Sequence, residues 1–192
     1  MYHIKEDKRE QRSAELLVGA ARSLLTSEEP LSLNIALLCR VAGVSRTTFY
    51  RLFDTPQDLL QYAAERALRK VVSGYLQIRN EAQKTGAPVP TPTRWYVENF
   101  YANTDIIRGL IRSGRSGILL GAHKMALREY AQELFPDLDP ASDEFVYFVD
   151  MRSSLLLGAV NAWVETGCHT SAWEIEQYVS RQLKFLNGED SE

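Results

Sequence analysis

Cysteine is scarce: Cys39 and Cys168 are the two in 192 residues, far apart and without a Cys-x-x-Cys pair. No disulfide framework is indicated, in keeping with a reducing compartment. Histidine is scarce too, and His3, His123 and His169 are scattered. None has a second His, Cys or carboxylate at a convincing metal-ligand spacing, so no metal and no other cofactor is expected. A nucleophile–base pair and a phosphate-binding glycine loop are also missing, which argues against an enzyme. No apolar run approaches the roughly 20 residues of a membrane span, and the opening MYHIKEDKREQRS has no apolar stretch of the secretory kind. A cytoplasmic protein without a membrane partner is the expectation. An overall excess of basic charge is lacking as well, the net charge being −3. Its distribution is uneven, with 11 Lys/Arg against 9 Asp/Glu in residues 1–70 and 11 against 16 in residues 71–192. That asymmetry favours a nucleic-acid contact near the N-terminal end, while falling short of a strongly basic domain.

What is present is a helical pattern on a hydrophobic fraction of 45%, enough for a substantial core. Between 12 and 26, Leu16, Leu17, Ala20, Ala21, Leu24 and Leu25 recur as an i, i+1, i+4, i+5 stripe. The SEEP stretch at 27–30 breaks it. Short helices are expected after Asn34 and after Ser45. Thr55, Pro56 and Asp58 then read as N-cap, first helical residue and third-position carboxylate of a further helix. Its stripe of Leu59, Leu60, Ala63, Ala67, Leu68, Val71 and Tyr75 carries it to about residue 84. TGAPVPTPT at 85–93, with three Pro and one Gly, is the clearest break. Helices are expected again at 95–103, 105–112 and 117–135, followed by the loop PDLDPAS. A long apolar helix over 143–165 stops before Gly167, and Ser171 and Glu174 form a capping box that opens a last helix to about 186. The expected fold is all-α with nine helices and no strand.

Residues 34–53, NIALLCRVAGVSRTTFYRLF, hold the informative constellation. Asn34 can cap a helix whose buried face is Ile35, Leu38, Cys39 and Ala42, and Leu33 and Leu38 have hydrophobic-staple spacing. Gly43 permits the left-handed conformation that a sharp turn needs. Val44 plugs the corner and Ser45 caps the next helix, which Phe49 and Phe53 anchor inward. At 100° per residue, Thr47, Thr48, Tyr50 and Arg51 then point away from the anchor, and Arg46 projects from the first turn. Hydroxyls, a phenol and guanidinium groups at a helix N-terminus suit a DNA major groove and its phosphates. An ordinary helical hairpin with a solvated face is the other reading of the same pattern.

The run Ala42, Gly43, Val44, Ser45, Arg46, Thr48, Phe49, Tyr50, Arg51 and Phe53, followed by a capped helix opening with Leu59 and Leu60, resembles the DNA-binding domain of the TetR family. The match covers about residues 10–62, with a weaker echo in Trp163, Gly167 and the cap at Ser171. The resemblance implies a TetR-like architecture. A three-helix DNA-binding domain would span 8–54, and a helical dimerisation and ligand-sensing domain 55–192. It implies a transcriptional regulator, expected to be a repressor relieved by an apolar small-molecule effector. Such a protein acts as a homodimer on a palindromic double-stranded operator. Its DNA-binding residues would be Asn34, Ser45, Arg46, Thr47, Thr48, Tyr50 and Arg51. The dimer interface would be a four-helix contact, two helices from each subunit. The long apolar faces after residue 143 offer Leu155, Leu156, Ala159, Trp163, Tyr178, Val179 and Leu183 for it.

The chain departs from the family pattern at three places. Pro56 stands where a phosphate-contacting Lys is usual, Leu52 where His, Tyr or Asn is common, and Leu37 where a polar residue is usual. Fewer phosphate contacts should weaken DNA affinity, which supports a second reading: an activator or adaptor working through a protein partner. Cys39 reads as core. Arg152 and Asn161, inside an otherwise apolar helix, must be paired, as interface contacts, internal salt bridges or ligand hooks. The aromatics between 95 and 163 serve either a cavity or the core.

Overall fold

The computed structural model describes residues 1–4, 7–26, 33–102 and 104–186, and their side chains except at 101, 102, 104, 185 and 186. Among these residues it forms ten α-helices and no strand. They are α1 (Lys8–Thr26), α2 (Ile35–Ala42), α3 (Arg46–Leu52), α4 (Pro56–Thr85), α5 (Pro92–Ala102), α6 (Thr104–Arg112), α7 (Ser116–Glu129), α8 (Ala131–Leu134), α9 (Asp143–Glu165) and α10 (Ala172–Leu186). The expected nine become ten because Tyr130, at φ −106° and ψ 23°, leaves helical geometry and separates the one-turn α8 from α7. The break expected at 27–30 lies outside the described residues.

Side-chain caps set most of these boundaries by satisfying the orphan amides of a first turn. In the box that opens α4, the Thr55 amide donates to Asp58 (2.9 Å) and the Asp58 amide to the Thr55 hydroxyl (3.2 Å). Ser171 and Glu174 repeat the device before α10, at 2.9 and 3.3 Å. Two helices begin earlier than periodicity predicts, for the same reason. The Asp7 carboxylate accepts from the amides of Arg9 and Glu10 (2.7 and 3.3 Å), so α1 starts at Lys8 rather than Arg12. The Arg94 amide donates to Thr91 Oγ1 (3.2 Å), and Pro92, lacking an N–H, suits the first position of α5.

The chain divides into two compact units. The first comprises 1–67 and 105–122, so it takes in α6 and part of α7 beyond the N-terminal helices. Its interior includes Leu17, Ala21, Leu38, Phe49, Leu59, Leu60, Ile106 and Leu110. Leu16, expected in the buried stripe, is exposed instead. Helix α6 lies close against α1, since a Cβ at Gly109 would come 2.5 Å from the Leu25 Cβ. Residues 1–4 strap the end of α3: Tyr2 and Phe53 form an antiparallel bridge, and the His3 amide donates to the Leu52 carbonyl (2.9 Å). The Tyr2 hydroxyl donates to the buried Glu65 carboxylate (2.6 Å), and the Gln61 amide group donates to the same carboxylate (2.8 Å).

The second unit comprises 68–104 and 123–192. Trp95 seats α5 on α4, its indole N–H donating to the Val71 carbonyl (2.9 Å). Gly74 leaves room for that ring, because a Cβ there would stand 3.0 Å from it. Helix α5 also packs on α10, where the Thr91 hydroxyl donates to Glu176 (2.7 Å). Leu127, Ala131, Phe145 and Val149 form a buried cluster joining α7, α8 and α9. No described helix is long and apolar enough to cross a membrane.

Candidate nucleic-acid interface

Helix α2 begins with the Leu37 amide donating to Asn34 Oδ1 (2.8 Å) and ends at Gly43, which is left-handed at φ 66°. There the Val44 amide donates to the Cys39 carbonyl (3.1 Å) and the Gly43 amide to that of Arg40 (3.4 Å). This 6→1 and 5→2 pair closes the helix and turns the chain within Gly43–Ser45, a conformation costly for any residue with a Cβ. Ser45 then caps α3, accepting from the Thr48 amide (3.0 Å), and its hydroxyl pairs with that of Thr48 (2.9 Å).

Phe49, Leu52 and Phe53 are wholly buried and fix the rotation of α3, with the two phenyl centroids 5.8 Å apart. That rotation leaves Arg46, Thr47, Tyr50 and Arg51 exposed and Thr48 half-buried. Tyr50 is 56% exposed, its ring perpendicular to that of Phe49 with the centroids 5.8 Å apart. Arg51 leans back to α1, its Nε 3.6 Å from Glu10. Thus Arg46, Thr47 and Tyr50 form the free outward face, while Asn34, Ser45 and Thr48 hold helix ends together. Further exposed cations stand in the same unit: Lys8, Arg9 and Arg12 on α1, and Arg40 on α2. Position 52 contributes no polar group, since Leu52 is core, and Pro56 opens α4 without a donor. Cys39 is buried, and burial raises its thiol pKa. Among the described residues no group of three or more His, Cys, Asp or Glu could hold a metal ion.

The residues predicted for subunit pairing are spread over α9 and α10. Leu155, Leu156, Ala159 and Val179 are half-buried, and Tyr178 and Leu183 are exposed. Trp163 is only 2% exposed and lines the groove between α9 and α10. The outward residues of α9 that sequence reasoning passed over are Tyr147, Met151, Ser154, Gly158 and Ala162. They recur at intervals of three or four, so they share one helix face. A groove of about 470 Å³ runs between α9 and α10, with Ser154, Gly158 and Ala162 on one side and Tyr178 on the other.

No protein-family model matches the chain, and no curated protein matches it. The geometry of residues 34–53 therefore carries the functional reading.

Proposed function

We propose that the chain is a DNA-binding transcription regulator of the TetR type, in which α3 enters a major groove. The observation that carries this reading is the set of Arg46, Thr47 and Tyr50 standing free on a short capped helix whose opposite face is sealed by Phe49, Leu52 and Phe53. A rigid helix presenting a guanidinium, a hydroxyl and a phenol has the donors that base edges and phosphates accept. The protein acts as a homodimer through α9 and α10. Small side chains at Ser154, Gly158 and Ala162 let a second helix approach closely, and exposed Tyr147, Met151, Trp173, Tyr178 and Leu183 supply apolar area. A two-fold dimer requires a palindromic site with half-sites about one helical turn apart. A small-molecule effector would relieve repression.

Hydroxyl-radical footprinting of the DNA upstream of the protein's own gene tests this. Two protected patches about one turn of DNA apart are expected. No protection at protein excess would overturn the reading. Two observations favour a protein-partner role as the second reading: Arg51 is occupied by Glu10, and Leu52 is buried, so fewer groups remain for phosphates.

A further inference from the structure

The second unit contains a cavity of about 220 Å³ between α5, α7, α9 and α10. Its walls are apolar along Leu155, Leu156 and Val179, and its polar groups are concentrated at Tyr96, His123 and Arg152. His123 is 4% exposed, and its Nδ1 is paired with the Ser153 hydroxyl at 2.8 Å. Its Nε2 is buried without a hydrogen-bond partner. A buried polar nitrogen left unpaired in this way is costly, and the cost is recovered when a ligand supplies the partner. The Arg152 guanidinium lies 5.6 Å from the ring centroids of both Phe135 and Phe148, and among the described residues no carboxylate pairs with it. A guanidinium resting against a pair of rings on one side keeps its charge and its forked donors available to a planar anion.

We propose that this cavity binds a small organic monocarboxylate, with the carboxylate on Arg152 and His123 Nε2 and an apolar body against Leu155, Leu156 and Val179. The charge argues for an anion, and the apolar walls argue for an organic acid over inorganic phosphate. The volume sets the size, because a dry cavity of about 150 Å³ already accepts benzene. His123 supports this as a neutral donor. Burial first, and the Arg152 charge second, push its pKa down to about 3. In the tautomer with the Ser153 hydroxyl donating to Nδ1, Nε2–H is the donor that a carboxylate needs. The site goes beyond the DNA-contact reading and does not depend on it.

Calorimetry on the purified full chain tests the proposal, with benzoate, phenylacetate and isovalerate as probes, and their primary amides and inorganic phosphate as controls. At least one acid is expected to saturate, its amide and phosphate to bind at least tenfold more weakly, and Arg152→Gln to lose roughly 10- to 100-fold. Arg152→Lys should retain part of the affinity. Circular dichroism would confirm that both variants fold. The ring-nitrogen NMR signals of His123, assigned with His123→Gln, should shift on titration with the acid while those of His3 and His169 stay. Binding of all three acids weaker than roughly millimolar would overturn the proposal. So would equal binding of acid and amide, or undiminished binding by folded Arg152→Gln.

Discussion

Arg46 and Arg51 carry the same charge on the same short helix yet stand differently. Arg51 is drawn to Glu10 at 3.6 Å, whereas among the described residues no carboxylate pairs with Arg46. Arg46→Ala is therefore expected to cost about 1–3 kcal/mol of DNA affinity, and Arg51→Ala less; fluorescence anisotropy on one duplex ranks them. His123 gives a second expectation at this scale. Folded, it takes up a proton only near pH 3, because burial and then Arg152 oppose the charge; unfolded, its pKa returns to 6.5. Between those values the unfolded chain binds more protons, so stability is full above pH 6.5 and falls as pH drops towards 3. The slope from this one group is about 1.4 kcal/mol per pH unit below 6.5. Urea unfolding at several pH values should show that much less acid sensitivity in His123→Gln. Equal slopes in both proteins would contradict the assignment.

At the scale of elements, helix ends were legible where local residue grammar determines them. Asn34, Ser45, Thr55 with Asp58, and Ser171 with Glu174 cap the helices expected of them, and Gly43 and Gly167 have positive φ just after helix ends. The free face of α3 was legible too, because Phe49 and Phe53 fix its rotation. Features that depend on contacts between distant segments were not legible. Nothing local marks the bridge from Tyr2 to Phe53, and the clustering of prolines before Thr91 hid the cap that starts α5. Leu16 was misplaced because periodicity locates a stripe but not which flank of it another helix covers. The pairing of His123 with Ser153 joins two helices 30 residues apart in sequence. Close approach between elements gives the matching test. Gly109→Ala puts a methyl 2.5 Å from the Leu25 Cβ and should destabilise by about 1–3 kcal/mol. Gly19→Ala, within α1 and with open space around it, should be neutral or gain up to about 1 kcal/mol of helix propensity. Thermal melts of the two variants distinguish these outcomes.

For the whole molecule, the proposed function needs two copies, and the outward face of α9 is the place to test it. Light scattering at micromolar concentration is expected to give the mass of a dimer. Met151→Glu together with Gly158→Arg, at exposed positions, should yield a folded monomer with unchanged far-ultraviolet dichroism. A wild-type monomer, or a double variant that still dimerises, would remove α9 from the interface. A monomer would also lose most of its operator affinity, because a single half-site contact forfeits the effective concentration that pairing supplies. The most direct measurement is anisotropy of the wild-type protein on its own upstream DNA across a salt series, beside Arg46→Ala and Tyr50→Phe. The expected result is saturable binding preferred over unrelated duplex, a linear fall of log affinity with log salt, and a loss of about 1–3 kcal/mol in each variant. Affinity equal to that for unrelated DNA, or both variants binding as the wild type does, would contradict the placement of α3 in the groove.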